Sequence, residues 1–488
     1  MRLSRATLGS VPSAIAAPRA RGPIATGIVH VGASAFHRAH QADYIDRLLD
    51  HDPRWGIAAV SLRTRAAIDA LAAQDGLYTL AIRDIEPSMR VIGAHTHFLG
   101  PEDGVATSAL LAAPDTQLVT TTVTEKGYCL AADGSLDFAH PDIVRDLARP
   151  AVPASVIGWI VAGLAARWAD RRAPFVVMPC DNLASNGAKI RAAITDFARR
   201  IDPMLAAWID NHLRVPATMV DSITPASDEA LFADVAAALG VEDRAAVQRE
   251  RFAQWVIEDV GDIGPDLGSV GATITSDVGG YERAKLRILN GAHSTLAYAG
   301  LLRGHATVAE AMKDPELAGF VDAMIRQDII PTLPRVPGLD LEAYADDVLR
   351  RFSNPGIVHR LDQIAQDGSQ KLPYRLGDTL IANRRLQRMP LHVIKAFGNW
   401  VAFLMRRVRD GVPIVDPLAD RLASIAANPD PAAVARRLVE EGVGIPGNLR
   451  GDAALVAALA AASWGANKGG ARQVNQILLA HGNAIKHV

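Results

Sequence analysis

The sequence has little of several things, and each shortage excludes a class of protein. Its 488 residues include two cysteines, Cys129 and Cys180. Two cannot build the disulfide framework of a secreted scaffold, so a reducing, cytoplasmic setting is expected. No Cys/His set has the spacing of a zinc centre, and no metal is expected. An excess of one charge is also missing. The 51 basic and 53 acidic residues leave a formal net charge of −2, which offers no electrostatic footprint for nucleic acid or an anionic membrane. Long apolar runs are absent: Val156 to Ala166 is broken by Gly158 and Gly163, and Ala453 to Trp464 is alanine-rich. Both fall short of the roughly 20 residues of a membrane span. The first 26 residues carry Pro12 and Pro18 and no strong apolar run, so they read as a flexible tail rather than a signal peptide.

What is present is enough for two domains, since 488 residues exceed a single simple core. Short β-branched runs at Gly27 to Val31, Trp55 to Leu62, Gln117 to Val123 and Phe175 to Pro179 alternate with helical patterns, such as Ala66 to Ala73 and Val156 to Asp170. Apolar strands alternating with helices predict an α/β domain with a mostly parallel sheet over 27–280. From Tyr281 the 3.6-residue period dominates, through Glu282 to Arg303, Val308 to Met312, Pro315 to Gln327, Leu341 to Phe352, Asp378 to Gln387, Leu391 to Arg409 and alanine-rich helices beyond. An all-α domain over 281–488 is expected, with Pro315 at a helix start, where proline is tolerated.

Six segments carry candidate chemistry. After the first strand, Gly32-Ala-Ser34-Ala35-Phe36-His37-Arg38 offers a tight turn and a helix start, which suits a pyrophosphate; it departs from G-x-G-x-x-G and also fits an ordinary strand-to-helix turn. His37 and His40 have no third metal ligand spaced nearby. Thr124-Glu125-Lys126-Gly127-Tyr128 and Pro179-Cys180-Asp181-Asn182 each follow a strand, where ligands of parallel sheets bind and where surface turns also occur. Met219-Val220-Asp221-Ser222 places an acid between apolar residues. In Lys285-Leu-Arg-Ile-Leu-Asn290-Gly-Ala-His293, α-helical geometry puts His293 roughly 80° and Asn290 roughly 140° around from Lys285. Polar groups so embedded in apolar surroundings are costly unless they have a task, and a buried lysine becomes a usable base near neutral pH; the alternative is a helix whose polar groups see water. Last, Arg351-Phe-Ser-Asn354-Pro355, Arg360, Lys371 and Arg375 cluster cations and amides that suit a hydroxylated or carboxylated ligand, or a solvated loop.

Together these segments resemble the long-chain polyol dehydrogenase family, whose branches include mannitol 2-dehydrogenases and fructuronate reductases. The resemblance runs from Ile28 to about residue 480 and rests on FHRAHQ at 36–41, AQDGLYTL at 73–80, TEKGY at 124–128, CDN at 180–182, MVDSITP at 219–225, KLRILNGAHS at 285–294 and RFSNP at 351–355. It implies a Rossmann-type first domain, a helical second domain, an active site between them and zinc-independent chemistry. It implies Lys285 as the acid/base, Asn182 and Asn290 as holders of the developing oxyanion, His293 as a substrate-orienting group, Glu125 on a proton path and Asp221 lining the substrate site. Gly32, Ser34, Ala35, Phe36, His37 and Arg63 are the expected cofactor contacts. Two departures stand out: Ser34 where the family usually has glycine, and Ser222 where arginine is frequent.

The segment DGSQKLPYR at 367–375 resembles the fructuronate reductase form. Interconversion of D-fructuronate and D-mannonate is therefore expected, with Arg360, Lys371 and Arg375 pairing the carboxylate. A mannitol-type polyol dehydrogenase and a non-catalytic nucleotide sensor are the alternatives. The family habit implies NAD. Arg63 and Arg65 after the second strand leave NADP possible, because no acid precedes Asp69. The partner is a small sugar acid or polyol, and the chain is expected as a monomer or small homo-oligomer.

Overall fold

The computed structural model describes residues 1–20 and 22–468, with side chains through 463. The chain divides into two compact units, Met1–Gly279 and Gly280–Val488.

In the first unit the strands are β1 (Thr26–Val31), β2 (Gly56–Val60), β3 (Tyr78–Arg83), β4 (Ser88–Ile92), β5 (His95–Leu99), β6 (Leu118–Thr121), β7 (Val176–Pro179), β8 (Thr218–Asp221), β9 (Val247–Glu250), β10 (Gln254–Glu258) and β11 (Thr273–Thr275). The main sheet has the order β5-β2-β1-β6-β7, and every pairing in it is parallel. The two-residue period of a strand splits β1 between two cores. Val29 and Val31 face a cluster built with helices Val156–Ala169, Asn186–Ile201 and Pro203–His212, while Ile28 joins Ile45 and Leu48 of helix Gln41–Leu48 on the other face. The four expected strands are the interior of this sheet and one edge. The others form the fifth strand and two small sheets, β4-β3-β9 and β11-β10-β8, which mix parallel and antiparallel pairs. Their short segments show no distinctive period, because partners far along the chain determine them.

The N-terminal residues are not the flexible tail expected. Leu3 is fully buried with Leu77, Val91, Leu231 and Leu239, and its N–H donates to Glu242 O at 2.8 Å. Val91 N–H donates to Ala16 O at 2.8 Å. Apolar burial of Leu3 and backbone pairing thus outweigh the local disorder signals of Pro12 and Pro18.

Among the described residues the second unit contains helices and no strand. Helix Leu391–Arg409, with Phe397 and Trp400 buried, packs against Gly291–Arg303 and Ala453–Lys468. Pro315 opens its helix behind the Asp314 cap. Alanine-rich sequence past 468 lies outside the described residues. Three stretches are π-helical: Lys285–Asn290, Met324–Ile329 and Pro373–Gly377. The first touches both of the others. No described helix is long and apolar enough to cross a membrane.

Behind the carboxyl end of β1 lie buried histidines. His30 stacks on His37 with ring centroids 3.4 Å apart, and His37 Nε2 lies 3.1 Å from His95 Nε2. His30 Nδ1 is 2.7 Å from Thr120 Oγ1, and His40 Nε2 is 2.9 Å from Gln254 O. Burial lowers the pKa of His30, His40 and His95 to about 3, and that of His37 well below the ordinary value. These rings are neutral in the fold but take up protons near pH 6.5 once unfolded. Their contribution to stability is therefore complete above about pH 6.5 and is lost as pH falls toward about 3. Thermal melts of the full chain should show Tm falling steadily from pH 7 to pH 5, with a clear net uptake of protons on unfolding; a flat Tm over that range would refute the neutral assignment.

Candidate active site

The first unit offers a cradle at the carboxyl edge of its sheet. β1 is the central strand, and the chain turns at Gly32 with φ of +102°. A Cβ there would lie 2.3 Å from Thr122 O, so only glycine permits this approach of β1 to the chain leaving β6. Ser34 is the N-cap of helix Ala35–Ala39, its Oγ accepting from His37 N–H at 3.3 Å. The serine that departs from the glycine pattern therefore has a local task. A cavity of about 410 Å³ opens beside the turn, lined by Gly32, Ser61, Leu62, Arg63, Val123, Gly127, Cys129, Asp142, Arg145, Ala154 and Ser155. One side of its wall is formed by residues just after β1, β2 and β6, where nucleotides bind in parallel sheets. Gly32 and Arg63 line it. His37 does not: its ring is fully buried among the other histidines, and only its backbone remains at the turn. Phe36 is half-buried and stacks on His40 with centroids 5.1 Å apart.

Glu125 and Asn182 follow neighbouring parallel strands, in which Thr121 is in register with Pro179. Asp181, which sequence reasoning assigned no role, holds these two ends together. Its carboxylate accepts from Thr124 N–H at 2.8 Å, Val123 N–H at 3.2 Å and the Tyr128 hydroxyl at 2.6 Å. Burial raises its pKa, and the Tyr128 hydroxyl and the two backbone donors oppose that rise. The CDN motif contained the signal, an acid next to the amide at a strand end. Asp221 ends β8 and is buried; it pairs in register with Gln254 of β10. Ser222 donates to Phe252 O at 2.9 Å, a backbone-anchoring role in place of the arginine.

The fold also gathers Cys129, His140 and Asp142, whose ligand atoms lie within 4.8 Å of one another. Sequence spacing does not reveal this group. Burial pushes the Cys129 thiol up to about 11, and His140 Nδ1 accepts from Asp142 N–H at 3.2 Å.

In the second unit, the angles expected of an α-helix do not hold at Lys285–Asn290. This segment is π-helical, closed by i→i+5 bonds. Lys285 and Asn290 are thereby closer around the axis than an α-helix would put them. His293 lies one turn on, buried, between Phe352 at 4.3 Å and His359 at 4.8 Å between ring centroids. Its Nε2 has no hydrogen-bond partner among the described residues. Burial, then His359, Arg375 and Arg351, hold its pKa well below the ordinary value, so the ring is neutral. A neutral ring with one unpartnered buried nitrogen suits hydrogen bonding to a substrate hydroxyl. Phe352 and His359, which flank it, belong to the RFSNP and His-Arg segments.

The three cations expected to act together separate here. Arg375 Nη1 donates to Ser294 Oγ at 3.1 Å, and a Cβ on Gly291 would lie 3.0 Å from Arg375 O, so Arg375 belongs to the His293 cluster. Lys371 donates to Gln366 O at 2.8 Å and lies 3.6 Å from Asp367. Arg360 does not join them. It is 58% exposed and pairs with Asp362, two residues along the chain. The nearby carboxylate satisfies it locally.

Two family models cover most of the chain: "Mannitol dehydrogenase Rossmann domain" over residues 26–267 and "Mannitol dehydrogenase C-terminal domain" over 277–463. The chain belongs to the mannitol dehydrogenase family. It is thus an oxidoreductase acting on CH–OH groups. Among curated relatives, D-mannonate oxidoreductase of Escherichia coli is 41% identical over 82% of this chain and 85% of its own. Mannitol 2-dehydrogenase of Phaeosphaeria nodorum is 37% identical over 87% and 77%. Among solved structures, a D-sorbitol dehydrogenase in substrate-free form has a TM-score of 0.89 at 30% identity, covering 96% of this chain and 99% of its own. The Pseudomonas fluorescens mannitol 2-dehydrogenase complex with NAD and D-mannitol has a TM-score of 0.82 at 35% identity, covering 98% and 99%.

Two outcomes follow from this geometry. Gly32→Ala should weaken dinucleotide binding by at least about tenfold and cost about 1–3 kcal/mol of stability, both readable by cofactor titration and denaturant melts; unchanged binding would remove the turn from the cofactor site. Prolonged chelation should leave turnover unchanged, whereas loss restored specifically by zinc would make Cys129, His140 and Asp142 a working metal centre.

Proposed function

We propose that this chain interconverts D-fructuronate and D-mannonate, with NAD as its cofactor. The observation that carries the uronate reading is Arg375. This guanidinium is sequestered enough that burial lowers its pKa, yet it has no carboxylate partner among the described residues, only the Ser294 hydroxyl. A half-buried guanidinium without a counter-charge is a ready partner for a carboxylate. A uronate supplies that anion, and a polyol does not. The D-mannonate oxidoreductase relative supports the same choice.

NAD bound at the turn after β1 would supply the hydride acceptor and donor. Gly32 supplies a turn that a Cβ would fill, beside a cavity of about 410 Å³ suited to the dinucleotide. Oxidation of a carbinol also needs a proton acceptor, and Lys285 has that role. Its amine takes the hydroxyl proton as hydride leaves carbon, and returns it in the reverse direction. Asn182 and Asn290 donate to the oxygen as it gains negative charge. Neutral His293 orients a neighbouring hydroxyl through Nε2. Glu125 relays the proton from Lys285 to solvent, and Asp221 lines the substrate site. Lys371 assists with the carboxylate end.

A mannitol-type activity is the second reading. It is favoured by the neighbour solved with NAD and D-mannitol. Turnover should be screened with D-fructuronate, D-fructose, D-mannonate and D-mannitol. The uronate pair is expected to exceed the polyol pair in kcat/KM, and the reverse order would establish the second reading. Arg375→Gln should raise KM for fructuronate at least about tenfold, or about 1.4 kcal/mol, and change that for fructose little; equal effects would make Arg375 structural. Lys285→Ala should lower kcat by about 10²–10⁴-fold with dinucleotide binding intact. A variant keeping a tenth of normal turnover, with chemistry rate-limiting, would sink the base assignment.

A further inference from the structure

The chain leaving β2 reads Ser61-Leu62-Arg63-Thr64-Arg65, with no carboxylate. The fold brings carboxylates there from another strand. β5 runs parallel beside β2 with Val60 in register with Leu99, and Ser61 N–H donates to Leu99 O at 2.8 Å. The segment after β5 therefore lies next to the segment after β2, and it carries Glu102 and Asp103. Arg65 Nη1 lies 3.0 Å from Asp103 Oδ2 and also pairs with Glu102, while Arg65 Nε lies 3.0 Å from Asp69 Oδ1. Asp103 Oδ2 is itself anchored by Gly100 N–H at 2.7 Å. Arg63 differs: it lines the cavity beside Gly32 and makes no ion pair among the described residues.

In a dinucleotide-binding sheet the adenosine ribose lies at the end of the second strand, and an acid there accepts from its hydroxyls and repels a 2′-phosphate. A guanidinium is the group a 2′-phosphate seeks. Arg63 and Arg65 alone would invite one. With Asp69, Glu102 and Asp103 gathered on Arg65, three carboxylates surround one guanidinium, and Arg65 is ion-paired through Nε and Nη1.

We propose that Glu102 and Asp103 are cofactor-specificity determinants: supplied by the segment after β5, they hold Arg65 as an ion-paired clamp and present net negative charge at the 2′ position, so that this chain takes NAD and rejects NADP. This rests on the reading that the ends of β1 and β2 hold the dinucleotide.

The test is a titration of the full chain with NADH and with NADPH, followed by nicotinamide fluorescence, which needs no substrate. Three proteins are compared: wild type, the Glu102→Gln/Asp103→Asn variant, and that variant with Arg65→Ala added. Exposed ion pairs contribute little to stability, so all three should melt at similar temperatures. Wild type should bind NADH at least about tenfold tighter than NADPH. Releasing the clamp should tighten NADPH binding by about tenfold or more while NADH changes by less than about threefold, and removing Arg65 should cancel the gain. An unchanged NADPH affinity in the folded double variant would overturn the proposal, as would a gain that survives without Arg65. Wild type that binds NADPH as well as NADH would overturn it too, with the dinucleotide site left standing; wild type that binds neither would refute the site itself.

Discussion

The close approach of β1 to the segment after β6 is the constraint on which the first unit depends. Parallel pairing carries β1 and β6 side by side to Val31 and Thr121. At the next residue the chain must turn over Thr122 with no room for a side chain, and Gly32 permits it. Behind the turn, His30 Nε2 lies 3.0 Å from Thr122 Oγ1, and Thr122 Oγ1 donates to Gly32 O at 2.6 Å. The turn is therefore braced from the core side by groups that are neutral and dry. His30 finds partners for both ring nitrogens, in Thr120 and Thr122, whereas His37, His40 and His95 each keep a buried Nδ1 without a partner among the described residues.

The same economy of position appears one strand over. Asp181 spends its carboxylate on backbone and hydroxyl donors of the segment after β6, which places Glu125 and Asn182 at adjacent strand ends. A residue with no direct role in the chemistry thus determines where two candidate functional groups stand. At the outer edge the ion-pair cluster around Arg65 does likewise by charge rather than hydrogen bonding. Strand ends that are neighbours only in the sheet share their side chains.

In the second unit the corresponding device is helical irregularity. A π-helical turn is less favourable than an α-helical one and recurs at functional sites. Here the segment holding Lys285 and Asn290 packs against the segment holding Arg375, and each is π-helical. The widening brings residues five apart closer around the axis, and the absence of a side chain at Gly291 admits the backbone of Arg375 at close range.

Much of this was legible beforehand, for definable reasons. The short apolar runs of β1, β2, β6 and β7 are buried on both faces, so composition marks them, and the helices from Leu341–Phe352 to Leu391–Arg409 have a period that their single apolar stripe requires. The candidate site residues Gly32, Asn182, Lys285, Asn290 and His293 stand out because glycine, amides, lysine and imidazole occur at strand ends or within an apolar helix. What escaped sequence reading depends on contacts between distant residues. Short β3, β9 and β10 are strands because of partners up to a hundred or more residues away, and Leu3 is ordered because Glu242 pairs with it. The inward turn of His37, the π-helical register at Lys285, the separation of Arg360 from Arg375 and the carboxylates around Arg65 were likewise decided by packing. Periodicity reports which face of an element is apolar; only the tertiary structure decides which charges and hydrogen-bond partners meet there, because those energies depend on distance in space and not on distance along the chain.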